Sequence, residues 1–329
     1  MIRTVAYPRA ALIGNPSDGY YGKTIAFVFK NFSAQVELIP SAQLQILPCE
    51  RERLQFTNAQ ELVGEIGEYG YYGGVRLIKA AIKTFYGYCA SHSLPLADKN
   101  FTIGYSTNIP QRLGLAGSSA IVTAAVKALM EFYEVDIPKP LLANLILSVE
   151  KDELKIGAGL QDRVAQVYGC PVYMNFDRQL MHKQGYGEYL PFDKSRLPLM
   201  YLAYRTNLSE GSEVTHNDLA SRFAKSETAV LNAVEEWKDL TTQTWNKLQS
   251  GDSQIAELMN RNFDIRKNIC AISQGNNELI ETARLAGASA KFTGSGGAII
   301  GTYENDETFD KLNAAMKNIN ATVIKPDIA

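Results

Sequence analysis

The sequence predicts an α+β protein of two domains, and three observations carry that prediction. Its 329 residues, at roughly 150 per domain, suffice for two units, and 46% hydrophobic content supplies a core for each. β-Branched and aromatic runs gather at the N-terminus, whereas helical periodicities interleaved with strands fill the remainder. Near Leu197 a strand-like run gives way to a polar, Ser-rich, charged stretch from Ser209 to Glu227, which sets domains of 1–196 and 197–329.

The runs TVAYPRAALIG, TIAFVFK and AQVELIP read as strands, separated by clusters of Gly, Pro, Asn and Ser that favour turns. From Gly73 to Tyr88, Val75, Ile78, Ala81, Ile82 and Phe85 fall at helical spacing, and in FTIGYST the residues Phe101, Ile103 and Tyr105 alternate as in a strand. SSAIVTAAVKALMEFYEV carries a broad apolar face closed by Asp136 and Pro138, which predicts a long buried helix. PKPLLANLILSVEKDEL predicts a second helix, with Pro near its start, and GAGLQDRVAQVYG a shorter one behind two glycines. PVYMNF, GEYLPF and LPLMYLAYRT read as strands. Helices follow at ETAVLNAVEEWKDLTTQTWNKL, ELMNRNFDIRKNI and NELIETARLAG, then a glycine turn into a strand at KFTGSGGAIIGTY, and a closing helix and strand. Such alternation predicts helices layered on antiparallel sheet. Trp237 and Trp245, eight apart on one helix, are assigned to the core.

Composition excludes several functions. Thirty-three Lys and Arg against thirty-five Asp and Glu give a net charge of −2, without the basic excess of a nucleic-acid binder. Cys49, Cys89, Cys170 and Cys270 stand singly, and His92, His182 and His216 lack ligand spacing, so neither a disulfide framework nor a zinc site is expected. The apolar run LLANLILSV is interrupted by Asn144 and closed by Glu150 and Lys151, too short to cross a membrane. Pro8, Arg9 and Gly14 fall where a secretory leader places its apolar core. A reducing, cytoplasmic setting is expected.

Chemistry concentrates in three places. In IPQRLGLAGSSA, Ile109 to Ala120, Gly114 and Gly117 permit a tight turn and Ser118 and Ser119 open the long helix. Unpaired N–H groups and the positive end of a helix dipole there suit phosphate, and a serine hydroxyl could reach a phosphate-bound Mg²⁺. A plain glycine turn with a Ser N-cap is the alternative. In KFTGSGGAIIG, Gly294, Gly296 and Gly297 surround Ser295, which permits close backbone approach to a ligand or, equally, a simple turn. Asp162, in the first turn of a short helix, could accept a substrate hydroxyl proton or merely offset the helix dipole. Glu150 closes an apolar helical face and could ligate a cation or mark where the helix meets solvent. GYYGKT, Gly19 to Thr24, imitates the end of a Walker A loop but has Ser17 where the first glycine belongs, and strand-like sequence follows it.

Taken in order, RAALIGNPSD, GLAGSSA and KFTGSGGA resemble the three motifs of the GHMP kinases, spread across nearly the whole chain. Within that family the likeness is to the plant sugar 1-kinases that act on glucuronate, in GNPSDGYYGKT, GYYGGVRL, TNIPQRLGLAGSSAIV, AGLQDRVAQVYG, LMNRNFDIR and KFTGSGGA. The resemblance implies an N-terminal half like the second domain of ribosomal protein S5, a ferredoxin-like C-terminal half, and ATP with Mg²⁺ between them. It implies Asp162 as catalytic aspartate, Arg9 beside the transferred phosphoryl group, and Gly114, Leu115, Ala116, Gly117, Ser118 and Ser119 as the phosphate loop. Ser119 and Glu150 fall on the metal-binding pair, Asp18 on the sugar-hydroxyl ligand of the galactokinase branch, and Gly296 in the C-terminal loop near substrate.

Two departures from the galactokinase pattern bear on the substrate. Asn15 stands where a glutamate is usual, and Arg163 where a glutamine commonly follows the aspartate. One fewer carboxylate and one more guanidinium favour an anionic sugar, since an Arg fork grips a carboxylate in two bonds. Arg163 could instead pair with Asp162 or Glu153 and serve structure. Phosphorylation of glucuronate to its 1-phosphate is the expected activity; a galactose, heptose or mevalonate type of kinase, or a silent sugar or nucleotide sensor on the same fold, remain alternatives. Oligomeric state is not set by the sequence.

Overall fold

The computed structural model describes residues 1–49, 52, 55–69, 73–206 and 212–329. Gly70 to Tyr72 of the GYYGGVRL motif and Ser209 to Gly211 of the polar stretch lie outside them. The chain runs β1 (Ile2–Ala6), β2 (Arg9–Ile13), a 3₁₀ turn at Ser17–Tyr20, β3 (Lys23–Val28), β4 (Ala34–Ser41) and β5 (Gln45–Leu47). It continues through α1 (Ala59–Tyr69), α2 (Gly74–Ser91), β6 (Asn100–Thr107), α3 (Gly117–Tyr133), α4 (Lys139–Ser148) and α5 (Leu160–Tyr168). β7 (Val172–Asn175), α6 (Arg178–Gln184), β8 (Glu188–Pro191), β9 (Met200–Tyr204), α7 (Ser212–Ala224) and α8 (Thr228–Gln249) follow. The last elements are α9 (Ala256–Ile269), α10 (Gln274–Leu285), β10 (Lys291–Phe292), β11 (Ala298–Thr302), α11 (Asp306–Asn318) and β12 (Thr322–Ile324).

The described strands form three four-stranded sheets, ordered β1-β4-β6-β5, β2-β3-β7-β8 and β10-β11-β9-β12. Alternation sets the register of the first: Val36 lies opposite Tyr105 and Leu38 opposite Ile103, and all four are buried on one face. β2 is buried along its whole length, as both faces of its sheet are covered. One pairing departs from the antiparallel expectation. β5 runs parallel to β6, and the crossover such a pair needs is supplied by α2.

α3 is apolar around most of its circumference, and it lies buried against β1 and β4. Trp237 is fully buried and Trp245 stacks on Tyr173 with ring centroids 4.8 Å apart, so α8 joins the sheet of β3 and β7. Thr241 Oγ1 donates to Lys23 O at 3.0 Å, and Ala329 N donates to Val28 O at 3.1 Å, further ties from the C-terminal half to β3. Three helices, α1, α6 and α7, went unread in the sequence. α1 lies in a polar stretch, and α6 is a short hairpin insert between β7 and β8, begun by Asp177, whose carboxylate accepts from Gln179 N and Leu180 N. The polar stretch holds α7, where buried Leu219 and Phe223, its ring 5.0 Å from that of Tyr20, supply the apolar contacts. Among the described residues, no helix is long and apolar enough to cross a membrane.

Candidate active site

A cavity of about 540 Å³ opens where β2, α3, α5 and the glycine loop before β11 meet. That is ample for a nucleotide or sugar. Three segments far apart in sequence converge on it. Gly114 has φ +63°, and a Cβ there would stand 2.7 Å from Ser295 N; a Cβ on Gly294 would stand 2.3 Å from Gly114 O. The two glycine loops therefore touch backbone to backbone, which only residues without side chains allow.

Arg9 ties the three together. It leaves buried β2, its guanidinium donates to Asp162 Oδ1 and to Thr293 O, and Nη1 lies 3.4 Å from Gly114 O. The phosphate-loop reading gains from the start of α3. Its N-cap is Ala116, in the left-handed region at φ +60°, and no side chain caps the helix. Ser118 Oγ donates to Glu150 at 2.6 Å, and Ser119 Oγ turns back to Ala116 O at 3.0 Å. The Ser N-cap alternative is thus absent from the structure, and uncapped amide groups with the helix dipole face the cavity.

The expected partner of Glu150 changes. Ser119 is fully buried behind the loop, so Ser118, not Ser119, stands against the carboxylate. In a helix, adjacent residues point about 100° apart, and Glu150 can meet only one of them. Glu150 itself lies in a wide π turn, Val149–Glu153, that ends α4, and is 1% exposed, so it does not mark a solvent boundary.

Asp162 sits in the first turn of α5 with two guanidinium partners rather than as a lone dipole-compensating group: Arg9, and Arg163 Nη1 at 3.2 Å. Arg163 does not present a free fork for a substrate carboxylate. Buried to 3%, it donates to Glu150 Oε2, Asp162 Oδ2 and, at 2.8 Å, Gly159 O. Of the two structural partners considered, Asp162 is one; Glu153 pairs with Lys83 at 2.6 Å instead.

Asp18, in the 3₁₀ turn, reaches the start of α5, where its Oδ2 accepts from Gln161 N at 3.4 Å. A Cβ on Gly159 would stand 2.2 Å from that oxygen, so glycine is needed there. Burial, and then the Asp162 charge, push Asp18 up to about 6. Asn15, 4% exposed, directs Nδ2 at Phe292 O (3.4 Å) and Gly294 O (3.5 Å). Gly296 does not line the cavity: at φ +150° it packs behind the loop on Asn276, while Gly294 and Ser295 form the wall.

The sequence reading missed the residues that hold this arrangement. On α9, Asn262 Oδ1 accepts from Gly14 N at 2.6 Å and Nδ2 donates to Asn15 O at 3.1 Å, while Arg266 donates to Gly294 O (2.7 Å) and Ser295 O (2.8 Å). Lys291, 1% exposed, donates to Ala11 O and Phe292 O; burial, with the Arg9 and Arg266 charges, holds it well below the usual lysine range. At the opposite end of the cavity Tyr105 donates to Glu52, whose other oxygen accepts from Val75 N at 2.9 Å and so caps α2. Gln161 also lines the cavity and is 2% exposed. Buried polar residues inside LMNRNFDIR and AGLQDR were the available signal.

Comparison with known proteins shows what the chain is similar to. The model of the GHMP kinases N terminal domain matches residues 76–170. Glucuronokinase 1 of Arabidopsis thaliana is 43% identical over 302 residues, covering 90% of this chain and 83% of its own. Among solved structures, Streptococcus pneumoniae phosphomevalonate kinase in complex with phosphomevalonate and AMPPNP superposes with a TM-score of 0.76 at 15% identity, covering 100% of both chains. Lactococcus lactis galactokinase complexed with galactose gives 0.73 at 15% identity, covering 99% of this chain and 93% of its own.

Proposed function

The chain belongs to the GHMP kinase family, and from that premise we propose that it is an ATP-dependent sugar 1-kinase that converts D-glucuronate to D-glucuronate 1-phosphate. The observation that carries the reading is Arg9, whose one guanidinium meets Asp162, the phosphate loop at Gly114 and the C-terminal glycine loop at Thr293. Identity to a glucuronokinase along 90% of the chain supports the substrate. Neutral Asn15, where galactokinases carry a carboxylate, supports an anionic sugar because it removes one like charge from the site. The ATP-binding unit is assigned to 1–196 and the C-terminal unit to 197–329.

In this reading the ATP phosphates lie against the uncapped amides of α3, Gly117 and Ser118 foremost, where backbone dipoles offset their charge. Glu150 and Ser118 are the protein oxygens that would hold Mg²⁺. Both are hard oxygen donors 2.6 Å apart, and among the described residues no cluster of three acidic, His or Cys side chains forms an all-protein cage. Magnesium, which keeps most of its shell for phosphate and water, fits such a pair and supplies charge neutralisation on the phosphates. Asp162 orients the anomeric hydroxyl and accepts its proton. Arg9 pairs with Asp162 and offsets charge on the moving phosphoryl group, and Asp18 and Asn15 contact the sugar. Loose phosphoryl transfer demands little more than such positioning and charge.

The test is incubation of the protein with ATP and a panel of uronic acids and hexoses, with products identified by mass spectrometry and NMR. Glucuronate 1-phosphate as the main product supports the reading; preferential phosphorylation of a neutral sugar or of mevalonate overturns the substrate, and no phosphorylated product overturns the activity.

A further inference from the structure

Two buried side chains in the cavity wall carry amide oxygens without a donor among the described residues. Asn15 is held with Nδ2 toward Phe292 O and Gly294 O, which fixes which end of the amide is which, because a carbonyl oxygen turned that way would face two others. Its Oδ1 then has no donor among the described residues. Gln161, the residue before Asp162, spends its backbone N–H on Asp18, and its buried Oε1 meets no donor among the described residues; unlike Asn15, its side-chain amide has no bond among them that sets which end turns to the cavity. A buried acceptor left without a donor destabilises the site, and the loss is recovered when a donor arrives. Both side chains line the cavity beside Asp18, a third acceptor.

We infer that Gln161 contacts the sugar and determines specificity, its side-chain amide bonding one ring hydroxyl while Asn15 meets another. The inference rests on the sugar-kinase reading and adds to it a division of labour. Amides bond hydroxyls as donor or acceptor, and the acidic Asp18 beside them repels a carboxylate, which places the uronate carboxylate elsewhere in the cavity. Nothing in the general chemistry of phosphoryl transfer calls for a glutamine here, whereas a polyhydroxylated substrate does.

The experiment compares kcat/KM for glucuronate and its 2-, 3- and 4-deoxy analogues in the wild type and in Gln161→Met, with folding checked by the rise in melting temperature on adding ATP. The wild type is expected to lose about 10- to 100-fold on each analogue that lacks a hydroxyl bonded by this wall, one of them lacking the partner of Gln161. Gln161→Met is expected to lose a similar factor on glucuronate and to treat that analogue and glucuronate alike within about threefold, closing the cycle. A purely structural glutamine would lower all four substrates equally, and that result overturns the inference, as does a wild type indifferent to every deoxy sugar. Gln161→Ala, which keeps helix propensity, decides the question if the Met variant does not fold. If glucuronate is not a substrate, the same comparison with deoxy forms of whichever sugar is phosphorylated tests the wall alone, so the two failures remain distinct.

Discussion

Arg163 and Glu150 form an ion pair in which both side chains are almost wholly buried, at 3% and 1% exposure. The same guanidinium reaches Asp162 at 3.2 Å, so one cation spans the carboxylate proposed to hold metal and the one proposed to accept the proton. That is positioning work. It leaves the fork without room for a substrate carboxylate.

Removing Arg163 should therefore harm the fold and every substrate together. Arg163→Gln leaves Glu150 buried without its cation, at a cost of about 3–5 kcal/mol, visible as a lower urea midpoint. Adding Glu150→Gln should return the greater part of that loss. Rates on glucuronate and galactose should fall by the same factor in the single variant; a shift in their ratio would put Arg163 back in contact with substrate.

Asp162→Asn keeps the shape of the side chain and removes the proton acceptor. Turnover should fall by about 10² to 10⁴, while the dissociation constant for ATP, measured by calorimetry, should stay nearly unchanged because the phosphates rest on α3. Ordinary turnover in this variant would remove Asp162 from the mechanism.

Asp18 makes stability depend on pH in a defined sense. Burial and the Asp162 charge raise it from 3.8 to about 6, so the folded state holds the proton more tightly than the unfolded chain. Ionising Asp18 then penalises folding: the penalty is absent below the unfolded value, grows between 3.8 and about 6, and is constant above. Asp18→Asn should raise stability by roughly 1–3 kcal/mol at about pH 7.5 and leave it unchanged near pH 4, in urea melts at the two values. An equal effect at both would mean that the charge is not responsible.

Gly114 and Gly169 separate contact from conformation. Both have positive φ, +63° and +71°, but a Cβ at Gly114 would strike Ser295 N at 2.7 Å, whereas nothing lies within 4 Å at Gly169. Each alanine variant should lose about 1–2 kcal/mol from backbone strain. Only Gly114→Ala should also weaken ATP binding, by more than about tenfold, since it pushes the two glycine loops apart. Equal ATP affinities in the two variants would contradict the proposed phosphate cradle.

The sequence alone determined those features that one stretch of chain decides. Periodicity marked β4, β6 and α3, glycine spacing marked both loops, and the order of three motifs placed the chain among kinases. Local signals did less for α1 and α6, where no strong apolar face exists, and for the parallel pairing of β5, which depends on a strand about 55 residues away. Tertiary structure alone decided which serine meets Glu150, how Arg163 is occupied, that Gly296 stands behind the wall, and that Asn262, Arg266 and Gln161 belong to the site. Each of these is a matter of side-chain direction and of partners up to 248 residues distant. A linear pattern names residue types, but hydrogen bonding between two side chains is fixed only when their elements have packed.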